Sequence, residues 1–495
     1  MKKVLLFIKK YWVLIAGMVI SFILFFRSLF AFYTNDDFFH LKIANIHSIK
    51  EFINFFSLTN PPQGWSFYRP LTTQVYYLIG ERVFNFKPLS LHIVSFLFFF
   101  GIIILIYRIC LSLLLKQLGA RQSKNIALVS AFLYAVSASH FGHLYFLGAF
   151  QELGMTFFVL MTCLMFIKKR NLSAFIFFVL ALASKETAVV TPLLLALIYL
   201  YERVAGIKVS SFKRFLVTLA PYVVLLAVYL TLRFVSFGFA TGDSYVWDFG
   251  IKKMVNTLFW YLLWSFNLPE TLVDFFGPGL KINPNLFIYW SKEFILIFSF
   301  FALELIMLAG FLIKQLKRGE GNHENAYVSL FSGLWFLITI LPVAFLPLHK
   351  FTYYLTLPLI GVVIRISYLI VKNNVKTVFV VMFMAVWTLT SYFSLVHTYN
   401  VSWITQGMKV GKKVYAYFET NKNKLTDKKI VFVDTPEDTT LPWSPTDTLK
   451  TVLSGNNFFD VFYADLSAKV SYAGLIRTTG SQDVVFVVAR QFLGY

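Results

Sequence analysis

Apolar runs long enough to cross a lipid bilayer recur along most of this chain, separated by short stretches that carry Lys and Arg. About 20 apolar residues span the roughly 30 Å hydrocarbon core as a helix, and in hydrocarbon the backbone must satisfy its own hydrogen bonds. Runs of roughly 17–25 residues predict about eleven spans, near 11–32, 89–115, 125–139, 144–167, 172–184, 187–201, 215–233, 288–313, 327–347, 354–371 and 377–397. With 58% hydrophobic and 14% charged residues over 495 positions, a soluble core could not hide the apolar surface. The 58 Phe and 26 Tyr suit lipid-facing surfaces and the water interface. The fold class expected is an all-α polytopic membrane protein.

A net charge of +21 raises nucleic acid as a partner, but the distribution of the charge argues against it. Lys and Arg cluster between spans, at Lys2/Lys3/Lys9/Lys10, Lys116/Arg121/Lys124, Lys168/Lys169/Arg170, Arg203/Lys208/Lys213/Arg214, Lys314/Lys317/Arg318 and Lys372/Lys376. These clusters fall on alternate connections, the pattern of a topology signal. The positive-inside rule then predicts a cytoplasmic N-terminus and an extracytoplasmic acid-bearing side. An odd number of spans puts the C-terminus outside too. The first run lacks a small-residue cleavage site and reads as a retained anchor. Cys110 and Cys163, both inside apolar runs, predict neither a disulfide nor a cysteine metal site.

The membrane domain is expected over residues 1–397, with long outer loops at 33–88 and 234–287. The first loop reads as two short interfacial helices, 36–47 and 49–56, then a turn at Asn60-Pro61-Pro62-Gln63-Gly64 before Trp65. The second is aromatic-rich and carries Asp243, Asp248, Glu270 and Asp274. Residues 398–495 change character. They predict an amphipathic helix over 402–420, strands at 429–433 and 483–488, a loop over 436–445 and a short helix at 446–453. This is a small extracytoplasmic α/β domain.

Phosphate-loop, dinucleotide and H-E-x-x-H signatures are absent. The chemistry must come from polar residues at the ends of the spans. Asp36 and Asp37 lead, because two carboxylates where a helix leaves hydrocarbon are costly. On a helix they point about 100° apart, so one can face a substrate while the other braces the loop. His40 lies one turn from Asp36, and the competing role for Asp36 is a helix cap. Arg69 precedes Pro70, where a helix start and a guanidinium favour an anion; its alternative is a lipid headgroup or Glu81. Lys185 and Glu186 read either as a mutually neutralised turn or as a lysine facing a phosphate and held by Glu186. His140, His143 and Glu152 are candidate cavity walls, as are Tyr68 and His349. Lys350 is a rare cation on the basic-poor side, and Tyr353 and Tyr354 have an aromatic-belt explanation. Glu304 stands alone within a span, with no partner evident.

These residues resemble a GT-C class integral-membrane glycosyltransferase. The pattern is similar to the protein O-mannosyltransferases and to bacterial aminoarabinose-type lipid-linked-sugar transferases. It is carried by Asn35-Asp36-Asp37-Phe38, Tyr68-Arg69-Pro70-Leu71, Leu182-Ala183-Ser184-Lys185-Glu186-Thr187-Ala188 followed by Pro192, and Lys350-Phe351-Thr352-Tyr353-Tyr354 leading to Pro358. It covers roughly residues 1–370. The mannosyltransferases usually have Asp-Glu where this chain has Asp-Asp, so both carboxylates stay candidates for the base, and the tetratricopeptide repeats of some relatives are missing.

The resemblance implies a polyprenyl-phosphate sugar donor, a protein, lipid or glycan acceptor, and a single inverting displacement outside the membrane. Asp36 or Asp37 would take the acceptor proton, with His40 nearby. Arg69, Lys185, Lys350, Tyr353 and Tyr354 would meet the donor phosphate. No cofactor is required by such a displacement, though the acidic pair offers a place for a divalent metal. The rival class is a secondary transporter or flippase, which calls for internal pseudo-symmetry and helices broken near the midplane.

Overall fold

The computed structural model describes residues 2–59, 66–207, 209–238, 240–242, 244–277, 281–317, 323–475 and 483–494. The turn expected at 60–64, Trp65, Lys208, Asp243 and Arg318 lie outside them. Among the described residues eight helices are long and apolar enough to cross a membrane: Tyr11–Phe30, Pro88–Leu115, Leu147–Ile167, Glu186–Val204, Phe212–Phe237, Asn285–Lys317, Asn325–Ala344 and Thr377–Val401. The chain is a multi-pass helical membrane protein.

The other three expected spans differ from straight crossings. Ala120–Ala135 and Ala138–Tyr145 form a pair bent by 51°. Asn267 satisfies the bend: its Oδ1 accepts from Ser137 Oγ at 2.8 Å and from the Ala138 N–H at 3.0 Å. Backbone freed from a helix at membrane depth survives only with such a partner. Asn171–Leu182 has 12 residues and Leu359–Lys372 has 14, both shorter than a full crossing. Leu359–Lys372 is buried along most of its length, packed between other helices and not against lipid. Gly361 permits this, because a Cβ there would lie 3.1 Å from the Phe336 nitrogen.

The two long loops carry more structure than their composition suggests. The first holds helices Asp36–Ala44 and Ile49–Asn54, then Pro70–Val75 and Tyr76–Arg82. The second holds helix Ile251–Trp264, a turn Glu270–Phe275 and a minimal hairpin pairing Phe276–Gly277 with Lys281–Ile282.

After the last long helix, Ser402 accepts from the Ile404 N–H and caps Trp403–Leu425. A three-stranded parallel sheet follows, with Lys429–Asp434 between Val470–Leu475 and Val484–Val488. Two of these strands match the expected pair. Val470–Leu475 escaped because its alternation is weak and Gly474, at φ 61°, marks a register break against Phe432 and Val433. Asp434, at the end of the central strand, accepts from the Thr446 N–H at 2.8 Å and from Ser444 Oγ at 2.7 Å, seating helix Pro445–Val452.

Candidate functional site

The acidic pair divides its labour as helix geometry requires. Asn35, at φ 49°, turns the chain into helix Asp36–Ala44, leaving Asp36 exposed and Asp37 fully buried. Asp37 Oδ2 accepts from the Thr34 N–H at 2.9 Å, and its Oδ1 accepts from the Tyr77 hydroxyl at 2.5 Å. Asn35 occupies the N-cap position and makes no side-chain cap, so the capping role weighed for Asp36 is not seen, and Asp37 instead braces the turn before the helix by holding the Thr34 N–H. Burial raises the Asp37 carboxyl to about 7, against the pull of those hydrogen bonds. His40, one turn on, is buried with its ring 5.2 Å from that of Tyr77. Burial and the Arg69 charge push it down to about 3, which keeps the imidazole neutral. Asp36 and His40 thus differ in exposure and do not present one open face.

The C-terminal segment packs on this loop. The Asn35 N–H donates to the Val452 carbonyl at 2.8 Å, and Lys42 pairs with Asp460 at 2.7 Å. Helix Trp403–Leu425 comes so close that a Cβ on Gly411 would lie 2.8 Å from the Tyr33 carbonyl oxygen.

Beside the loop lie two ion pairs, partnered differently from the sequence expectation. The Leu71 N–H donates to the Ala183 carbonyl at 3.1 Å, and Thr72 donates to the Ser184 carbonyl, so the segment after Arg69 docks on the break at 183–186. Lys185 is extended there, at φ −162° and ψ 144°, and consecutive side chains on extended backbone point opposite ways. Glu186 turns to Arg69 and accepts from its Nε at 2.8 Å and from its Nη2. Lys185 turns to Glu152, 2.5 Å away, with both side chains 2% exposed. The mutual Lys185–Glu186 pair is corrected by this geometry. Burial would lower the Arg69 pKa, but Glu186 holds it above its ordinary value. Burial does lower Lys185, with Glu152 opposing.

Tyr354 lies with its ring centroid 4.6 Å from the Lys185 ammonium, and Tyr353 with its own at 5.9 Å. Both rings thus lie within cation–π range of Lys185. His349 Nδ1 sits 2.6 Å from Ser244 Oγ, and its ring is 4.0 Å from that of Tyr245. Burial and the charges of Lys185 and Arg69 push His349 down to about 3. Burial raises the Tyr245 hydroxyl, which also senses Arg69, Glu186 and Asp36. Ion pairs and ring contacts join Arg69, Glu152, Lys185, Glu186, His349 and Tyr354 as one group, with His40 sensing the Arg69 charge and Asp36 linked to it through Tyr245. Ser244 and Tyr245 complete it and had no sequence signal beyond an aromatic-rich loop.

The remaining candidates fall elsewhere. Tyr68 packs on Tyr229 and Phe237 and donates to the Phe56 carbonyl at 3.2 Å. His140 and His143 are interior residues behind the Tyr353 segment, bonded to the Tyr134 carbonyl and to Thr356 Oγ1 at 2.6 and 3.1 Å. Lys350 leaves the cation group and lines a different cleft with Glu270 and Asp274. Glu304 gains a partner, accepting from Thr390 Oγ1 on the neighbouring long helix at 2.5 Å. Among the described residues no group of three or more His, Cys, Asp or Glu side chains converges as a metal site. Comparison with family models, with curated proteins and with solved structures finds no match to this chain.

Proposed function

We propose that this protein transfers a sugar from a polyprenyl-phosphate donor to an acceptor hydroxyl on the extracytoplasmic side of the membrane. The observation that carries the reading is the pair of caged cations, Arg69 and Lys185, brought together where residues 71–72 dock on 183–184, with the exposed Asp36 carboxylate felt by the same Tyr245 hydroxyl that feels Arg69. A sugar leaving from phosphate departs as a stable anion and needs positive charge more than a general acid. The acceptor hydroxyl needs one carboxylate to take its proton as the new bond forms. Asp36 has the exposure for that task, and Asp37 is committed to Thr34 and Tyr77. Arg69 and Lys185, fixed by Glu186 and Glu152, would stabilise charge developing on the phosphate. The reaction proposed is a single inverting displacement, with no metal required.

The accompanying topology has a cytoplasmic N-terminus and an outer C-terminal domain, with eleven membrane segments counting the bent pair and the two short helices. Nine segments would give the same sides, since both counts are odd.

The decisive experiment uses the full-length protein in lipid nanodiscs with polyprenyl-phosphate sugars. Asp36→Asn should bind donor normally and transfer about 10²–10⁴-fold more slowly. Normal transfer by Asp36→Asn would remove this residue from the mechanism.

A further inference from the structure

The cleft that Lys350 lines is separate from the Asp36–Arg69–Lys185 group and has a different chemistry. It has a volume of about 400 Å³, and its walls are the Glu270 turn, the Pro347–Thr352 stretch and the start of the C-terminal helix at Ser402–Ile404. Small-molecule sites typically occupy about 300–1,000 Å³, with aromatic walls and a few convergent polar groups. We propose that this cleft binds a neutral, polyhydroxylated ligand of the carbohydrate class, independently of the sugar-transfer site.

Charge balance is the first argument. Asp274 and Lys350 both line the cleft, and the charge of each offsets the shift that partial burial imposes on the other. Glu270 is already engaged, its Oε2 accepting from the Thr352 N–H at 2.5 Å and from Thr352 Oγ1 at 2.8 Å. With Glu270, Asp274 and Lys350 on its walls, the cleft has no surplus of positive charge to recognise a phosphate. A carboxylate and an ammonium lining one cleft instead offer acceptors and donors together, which neighbouring sugar hydroxyls can satisfy.

The aromatic wall is the second argument. Trp403 is 39% exposed at the rim although indole is usually well covered. It is held edge-on by Phe146 at 5.3 Å and Phe351 at 6.4 Å. A fixed, open aromatic face suits the apolar C–H face of a pyranose, while Ser402 and Thr398 bring hydroxyls to the same cleft.

The segment 349–354 separates the two sites. His349 and Tyr354 belong to the Arg69–Lys185 side, whereas Lys350, Phe351 and Thr352 face the cleft. Phe351 stacks on Tyr353 at 5.0 Å and 11°, so the two sites share one wall.

The test is saturation-transfer NMR on the full-length protein in nanodiscs free of glycoside detergent. The probes are neutral mono- and disaccharides of glucose, galactose and mannose, with inorganic phosphate as competitor. At least one saccharide should give signal, weakened tenfold or more by Trp403→Ala and by Asp274→Asn, and left unchanged by Asp36→Asn and by added phosphate. Both cleft substitutions are on exposed side chains, and a melting curve verifies that each variant folds. Absence of signal from every saccharide, indifference to both cleft substitutions, or displacement by phosphate would each overturn the assignment. Loss of signal in Asp36→Asn would place the saccharide in the transfer site instead and overturn it too.

Discussion

Arg69 and Glu186, 117 residues apart in the chain, form a forked ion pair, with Nε donating to Oε2 at 2.8 Å and Nη2 to Oε1. The guanidinium is 4% exposed, so the carboxylate must stay with it. Lys185, the immediate neighbour of Glu186, is left to Glu152. This exchange of partners organises the site, because each cation is then held from its own side of an extended backbone.

The Arg69–Glu186 pair should behave as a unit. Arg69→Gln alone should cost about 3 kcal/mol of stability, the low end for a broken buried pair because Glu186 is 24% exposed. The double variant Arg69→Gln/Glu186→Gln should recover at least about 1 kcal/mol of the summed single losses. Thermal melting of the four proteins in detergent measures the coupling, and strictly additive losses would contradict it.

For Lys185 and Glu152, folding and function should come apart. Either single substitution strands a charge in the interior and should cost about 3–5 kcal/mol. Lys185→Met/Glu152→Leu removes both charges and should melt within about 2 kcal/mol of the native protein. That well-folded double variant should nevertheless fail to bind polyprenyl-phosphate sugar. Retained binding would confine the pair to a structural role.

Gly411 tests the packing of the C-terminal segment on the acidic loop. Gly411→Ala drives a methyl group against the Tyr33 carbonyl, backbone that has no side-chain rotamer to yield, and should cost about 1–3 kcal/mol. Gly310→Ala, on a helix with open space around it, should be neutral or stabilising by up to about 1 kcal/mol. Equal melting temperatures for the two variants would show that the close approach carries no stability.

Glu270 should give the protein a pH-dependent stability. Burial raises its carboxyl from 4.5 to about 7 in the folded protein. Between those values the folded state keeps a proton that the unfolded state has lost, so stability falls as pH rises through the window and levels off above it. The loss is at most about 3 kcal/mol. Glu270→Gln keeps an oxygen for both Thr352 donors without the charge. Melting curves from pH 5 to pH 8 should therefore show a shallower decline for the variant and a higher melting temperature than native at the alkaline end. Parallel curves would refute the assignment.

Apolar run length alone determined that this chain is a multi-pass helical protein, because bilayer thickness and backbone hydrogen bonding favour helices for the long apolar runs, and alternation picked out two of the three strands that follow them. It also singled out Asp36, Arg69, Lys185 and Glu186, since charge at the border of hydrocarbon is conspicuous in any linear reading. Their partners were not legible. Whether Glu186 faces Lys185 or Arg69 depends on extended backbone at one residue and on the docking of Leu71 and Thr72 onto residues 183–184, contacts made across more than a hundred positions. The split between an exposed Asp36 and a buried Asp37 likewise required Tyr77 and the C-terminal helix to close over the loop. The entry of Tyr245 required a distant loop to fold back on His349. Local pattern reports the solvent a residue prefers; which charge answers which is a property of three-dimensional proximity, and only the tertiary structure supplies it.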